Sequence, residues 1–242
     1  MRRSIEVLLA PPWPPEAIRG AHVVVFDVLR ATSTIAAALA NGAAGVIPVV
    51  EPEEARALGE RLGRDRVLLC GERNITKLHG FDLGNSPADM TAEVVAGKTI
   101  IMTTTNGTRA LRAAASAPGA SVRTGALLNR GAVAGALARE DGPIVIVCSG
   151  EKGVFALEDA IGAGALVDAL LRVVDEPDLR DGARAAALLY RGVTDRLVDA
   201  LASVDHAIEM TAKGAVADLA RCAALDTLDV VPTLREGILI AA

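Results

Sequence analysis

The stretch Val23-Val24-Val25-Phe26-Asp27-Val28-Leu29-Arg30-Ala31-Thr32-Ser33-Thr34 decides the fold. A β-branched apolar run ends at an acid, passes through small hydroxyl residues and gives way at once to an Ala-rich stretch, the grammar of a strand feeding a helix. The same grammar returns in Thr99-Ile100-Ile101-Met102-Thr103-Thr104-Thr105-Asn106-Gly107-Thr108-Arg109. At both junctions the unpaired N–H groups of a helix start face the carboxyl end of a strand, where an anion is stabilised.

Outward from these junctions the pattern repeats from residue 20 to about 172. Strands are predicted at 22–26, 45–50, 66–70, 98–102, 120–124 and 143–148, and helices at 32–41, 52–63, 86–96, 107–117, 129–139 and 156–171. This predicts an α/β fold: a three-layer, mostly parallel or mixed sheet with helices on both faces and ligands at the strands' carboxyl ends. Residues 181–225 read instead as successive Ala-rich helices with a break near Gly214, and one or two strands follow between Asp229 and Ile240. No Ser-, Gly- or Pro-rich linker separates the parts, so 1–242 is expected to be a single domain with a helical C-terminal appendage. The units 22–50 and 98–124 share a plan, but their residues match too loosely for a repeat.

Composition narrows the function. Apolar residues make up 51% of the 242 and aromatics only 2%, so the core is built from Ala, Val, Leu and Ile. A net charge of −5 argues against nucleic acid as a partner and means that an anionic substrate needs local cations. Cys70, Cys148 and Cys222 are odd in number, widely spaced and without a CxxC pair, which fits a reducing, cytoplasmic setting. The start, with Glu6 inside its apolar run and Pro11-Pro12 after it, reads as a first strand and not a signal peptide. No run reaches the ~18 apolar residues of a membrane span.

Asp27 reads either as a Mg²⁺ ligand or nucleophile at a phosphate, with Arg30 neutralising the ligand, or as a loop carboxylate paired with Arg30. The second acid of an Asp-x-Asp phosphatase is missing, since Leu29 stands in its place. Thr32 and Ser33, and the loop Thr104, Thr105, Asn106, Gly107 and Thr108 with Arg109, offer hydroxyls, backbone N–H groups and charge to an anion, beyond what N-capping requires. The stretch Cys70–Pro87 reads as a long loop carrying Glu72, Arg73, Lys77 and Asp82, closed by the N-cap Ser86-Pro87-Ala88-Asp89. After the strand end Val147-Cys148-Ser149-Gly150-Glu151-Lys152-Gly153, the acids Glu158 and Asp159 open an otherwise apolar helix. They answer the helix dipole or share a metal, because buried acids without a cation are costly. Cys148 lacks the Arg that a cysteine phosphatase needs six places on. His22, His79 and His206 give histidine catalysis little support.

Phe26-Asp27-Val28-Leu29-Arg30-Ala31-Thr32-Ser33-Thr34, Gly71-Glu72-Arg73, Gly80-Phe81-Asp82-Leu83-Gly84-Asn85-Ser86-Pro87, Thr103-Thr104-Thr105-Asn106-Gly107-Thr108 and Leu157-Glu158-Asp159 together resemble, in order, the 2-phosphosulfolactate phosphatase family. Where that family more often has glycines after Gly71-Glu72-Arg73, this chain has Asn74-Ile75-Thr76. The resemblance implies a Mg²⁺-dependent hydrolase that removes phosphate from 2-phospho-3-sulfolactate on the way to coenzyme M. Such a small anionic organophosphate carries phosphate, sulfonate and carboxylate, and Arg30, Arg73, Lys77, Arg109 and Lys152 are the nearby cations. The expected arrangement has Asp27, with Glu158 or Asp159 and Glu72, holding Mg²⁺ against a phosphate oxygen, with attack by water or by Asp27 itself. A phosphate- or sulfonate-binding sensor and a phosphatase of other 2-hydroxy acid phosphates are the rival readings. A homodimer is the base-rate expectation for assembly.

Overall fold

The computed structural model describes residues 3–242. Its strands are β1 (Ser4–Leu8), β2 (His22–Phe26), β3 (Gly45–Pro48), β4 (Val67–Arg73), β5 (Thr76–Lys77), β6 (Thr99–Thr103), β7 (Ser121–Gly125), β8 (Ile144–Cys148), β9 (Asp178–Leu179), β10 (Pro232–Arg235) and β11 (Ile238–Ala241). Among the described residues they form a mixed sheet in the order β5-β4-β6-β3-β11-β10-β7-β2-β8-β1-β9.

The parallel pairings fall into two blocks. One is β4-β6-β3 and the other β7-β2-β8-β1-β9. The antiparallel hairpin β10-β11 joins them, with Thr233 opposite Arg123 on one side and Leu239 opposite Val46 on the other. Both similar units cross between the blocks: β2 leads through helix Ala31–Ala40 to β3, and β6 leads through helix Gly107–Ala115 to β7. The two helix starts are thereby drawn into the region shared by the blocks.

Alternation along β2 shows the layering. Val24 and Phe26 face a core with helices Arg130–Ala138, Leu157–Leu170, Asp181–Arg191 and the shorter C-terminal helices. Val23 and Val25 face a core with Ala31–Ala40 and Gly107–Ala115, which also takes in Val46, Ile100, Met102 and Leu239 from the other block and the hairpin. Because helices cover both faces, β2 from Val23 on and β8 are continuous apolar runs and not alternately polar. Helix Leu157–Leu170 packs closely on Asp181–Arg191 where Gly164 lacks a side chain, since a Cβ there would lie 2.0 Å from the Ala186 carbonyl oxygen.

Two expectations are corrected. The segment 86–96 is not one helix: Ser86 caps a single 3₁₀ turn, Pro87–Asp89, and a four-residue helix, Ala92–Val95, begins afresh after extended Thr91. A good N-cap starts a helix but does not propagate it, and the buried Met90 turns the chain into the core first. The long loop from Cys70 is partly strand, because β4 runs on to Arg73 and folds back on β5 through Asn74 and Ile75, both at positive φ (51° and 70°). That left-handed pair is where glycine would be unstrained. No helix among the described residues is long and apolar enough to cross a membrane.

Candidate active site

Asp27 stands one residue past β2, buried, with Oδ1 accepting from the Ala31 N–H (3.0 Å) at the start of helix Ala31–Ala40. Thr32 folds back on the same residue: its Oγ1 donates to the Asp27 carbonyl (2.9 Å) and accepts from the Asp27 N–H (3.2 Å). Ser33 Oγ donates to the Val28 carbonyl (2.9 Å). The second junction repeats the device, Thr108 Oγ1 donating to the Thr104 carbonyl (3.1 Å) and accepting from the Thr104 N–H (3.1 Å). These hydroxyls fix the strand-to-helix turns.

The second turn meets the first at Gly107. A Cβ there would lie 2.6 Å from Asp27 Oδ2 and 2.6 Å from the Ala31 Cβ, so only glycine lets the two helix starts close on the carboxylate. A pocket opens beside it, lined by Asp27, Arg30, Glu72, Asn74, Ile75, Asn85, Thr104, Thr105, Asn106, Glu151, Lys152, His206 and Glu209.

Glu72 is a clamp within that wall. Its Oε1 accepts from the N–H (2.9 Å) and hydroxyl (3.0 Å) of Thr105, and its Oε2 from the Ile75 N–H (2.8 Å), so it ties the β4–β5 turn to the Thr-rich loop. Asp159 does the same at the ends of β2 and β8. Its Oδ1 accepts from the Val28 N–H (2.8 Å) and its Oδ2 from Ser149 Oγ and the Gly150 N–H (3.0 Å each). Arg30 pairs with Asp218 (2.7 Å) of helix Ala217–Cys222, both buried, and Ser86 Oγ donates to the other Asp218 oxygen (2.7 Å).

Electrostatics single out three acids. Burial, reinforced by Glu72 and Glu151 and opposed by the Ala31 N–H and His206, raises the Asp27 carboxyl to about 6. Burial also raises Glu158, with Asp27 and Glu151 adding repulsion, and pushes Asp159 well above the carboxylate range, with Asp27 and Glu158 adding to the effect. Like charges held together away from water raise one another in this way, and a cation relieves them.

The structure brings Asp27, Arg30, Glu72, Thr104, Thr105, Asn106 and Lys152 to one pocket, with Glu158 and Asp159 buried in electrostatic range of Asp27. Gly107 abuts it. Other candidates point elsewhere. Arg73 reaches the Val50 carbonyl (2.8 Å) and Thr103 (3.1 Å), and the exposed Arg109 pairs with Glu51 (3.0 Å). Lys77 lies exposed beside the Asp82 carbonyl (3.4 Å). The hydroxyls of Thr32, Ser33 and Thr108 are spent on backbone.

Sequence reasoning did not reach His206, Glu151, Asn85 or Asp218 as site residues. His206 Nδ1 lies 3.4 Å from Glu151 Oε2, which also accepts from Asn106 Nδ2 (2.5 Å). His206 and Asp218 sit on the C-terminal helices, about 180 residues from Asp27, with no local signal. Asn85 lay inside the GFDLGNSP stretch, where its motif was the available clue.

Among the described residues no three His, Cys, Asp or Glu side chains form a ready-made metal cage. Mg²⁺ does not require one, because it keeps several waters and takes one or two carboxylates together with substrate phosphate. The donor set fits that habit. Among the described residues no hydrogen bond reaches Asp27 Oδ2, Glu158 is a second buried acid raised by its surroundings, and the buried Oδ1 of Asn85, a residue of the pocket wall, has no hydrogen-bond partner.

Residues 11–237 match the family described as 2-phosphosulpholactate phosphatase. Curated relatives carry the name "Probable 2-phosphosulfolactate phosphatase". The one from Caldanaerobacter subterraneus subsp. tengcongensis is 45% identical over 218 residues, 90% of this chain and 89% of its own. The Thermotoga petrophila relative is 43% identical over 237 residues, covering 98% and 97%. The Synechococcus relative is 43% identical over 244 residues, covering 99% and 100%.

Proposed function

The chain belongs to the 2-phosphosulfolactate phosphatase family, and from that premise we propose that it hydrolyses 2-phospho-3-sulfolactate to 3-sulfolactate and phosphate with Mg²⁺, a step toward coenzyme M. The observation that carries the reading is the buried group Asp27, Glu158 and Asp159 beside a pocket walled by two helix starts and Arg30. A pure anion receptor gains nothing from acids at its ligand, whereas a phosphatase needs them to hold a cation.

Asp27 and Glu158 would hold the Mg²⁺, with Asp159 fixing the loop ends on which Asp27 depends. When bound, the ion neutralises phosphate charge and lowers the barrier to in-line displacement. Arg30, locked by Asp218, faces the developing charge without reorganising, the condition under which a charged group stabilises a transition state best. Thr104, Thr105 and Asn106 orient the anion, and Lys152 at the pocket wall answers a second negative group. His206, whose Nδ1 lies 3.4 Å from Glu151 Oε2, is the wall residue we assign to pass a proton to the departing alkoxide. The attacking oxygen is water or Asp27 Oδ2, and trapping of a phosphorylated Asp27 separates the two.

Phosphate release is to be measured from 2-phospho-3-sulfolactate, phospholactate and phosphoglycolate, each with Mg²⁺ and with chelator. The expected result is metal-dependent release with the sulfonated substrate preferred. Equal release from all three would move the assignment to a broad 2-hydroxy acid phosphatase, and binding without release would make the chain a sensor.

A further inference from the structure

We propose that the cavity lined by Trp13 and by Ala110 and Ala113 of helix Gly107–Ala115 is a second ligand site, for a small uncharged aromatic molecule. It measures about 310 Å³. That is the lower end of the ~300–1,000 Å³ that small-molecule sites span, and it suits one or two fused rings and not a folded partner.

The apolar surface comes from two places. Pro11, Pro12 and Trp13 follow β1, and Ala110 and Ala113 lie one turn apart on the helix. Alanine at both helix positions leaves beside the indole a space that longer side chains would occupy. Trp13 is the only tryptophan in a chain with 2% aromatic residues, and it is half-buried. A ring laid against it gains stacking as well as burial. Thr105 and Asn106 line both this cavity and the catalytic pocket, so the two spaces share a wall.

The polar groups of the lining define what the ligand lacks. Thr105 Oγ1 donates to Glu72 (3.0 Å) and Ser149 Oγ to Asp159 (3.0 Å). The Asn106 amide accepts from the Lys152 N–H (3.1 Å) and donates to Glu151. Arg109, the charged residue of the lining among the described residues, is already paired with Glu51 (3.0 Å). The cavity therefore offers apolar surface with no uncompensated charge, and a charged ligand would lose hydration there without repayment.

The full-length protein, with ¹⁵N-labelled tryptophan, is titrated with indole and separately with benzoate, while the single Trp13 Nε1–H resonance is followed. A saturable shift is expected with indole, at a lower Kd than for benzoate. Ala113→Leu, a substitution at an exposed helix position, fills the space and should weaken indole binding by about tenfold or more, through lost stacking and burial. Arg109→Gln should leave the indole Kd within about twofold, because surface ion pairs contribute little. Neither metal nor phosphate ester is present, so the outcome is independent of the phosphatase reading. Absence of a saturable shift, indole binding that survives Ala113→Leu, or tighter binding of benzoate overturns the proposal.

Discussion

Folding takes the Asp27 carboxyl from 3.8 up to about 6, so the folded chain holds that proton more tightly than the unfolded one. Its contribution to stability is therefore greatest below pH 4 and declines as pH rises through about 6, reaching its full cost above that. Asp27→Asn keeps an oxygen for the Ala31 N–H and removes the buried charge. The metal-free variant should be about 1–3 kcal/mol more stable than wild type at pH 8, with the difference gone by about pH 4, while turnover is abolished. Thermal melts across that range check the first part and phosphate release the second. Near wild-type activity in the variant would remove Asp27 from the mechanism. Gly107→Ala tests the same carboxylate from the opposite helix: its Cβ must displace Asp27 Oδ2, 2.6 Å away. We expect kcat to fall by about 10²-fold or more, the scale set by small misplacements of reacting groups, with a stability loss of about 1–3 kcal/mol.

At the scale of elements, the two strand-to-helix junctions are the units of construction, and each spends its threonine on its own turn. The hydroxyls of Thr32 and Thr108 are accounted for by these turns. Third partners complete the site, above all helix Ala217–Cys222, which delivers Asp218 to Arg30. Asp218→Ala leaves the Arg30 guanidinium buried and unpaired, and the expected cost is about 3–5 kcal/mol in denaturant unfolding, accompanied by a lower kcat. A cost under about 1 kcal/mol would mean that Arg30 finds another partner and that the pair is not what positions it. Segment 86–96 shows the limit of local signals, since a strong cap at Ser86 yields one turn because the next residues are pulled into the core.

For the whole molecule, the hairpin β10-β11 is what makes one sheet from two parallel blocks. Leu239, fully buried opposite Val46, carries much of that junction. Leu239→Ala should cost about 2–5 kcal/mol, the range for emptying a core leucine site, and should lower the midpoint of a single cooperative transition. Two resolved transitions by calorimetry would instead mean that the blocks fold independently. The crossing of both junction helices between blocks also explains why Asp27 and Gly107 touch although 80 residues separate them in the chain.

The alternation of β-branched runs with Ala-rich stretches determined most element types outside 70–96, the α/β class and the strand-end position of Asp27, because these follow from local periodicity and turn chemistry. The acids at 158 and 159 and the Thr-rich turn were legible for the same reason, as residues out of keeping with their apolar surroundings. Tertiary structure alone decided that the parallel strands split into two blocks closed by the last hairpin, and that His206 and Asp218 join Asp27 and Arg30. It also turned Arg73, Lys77 and Arg109 away from the pocket. Pairing order and side-chain convergence depend on contacts between residues far apart in the chain, and no local pattern encodes which distant surface a strand edge or a helix face will meet.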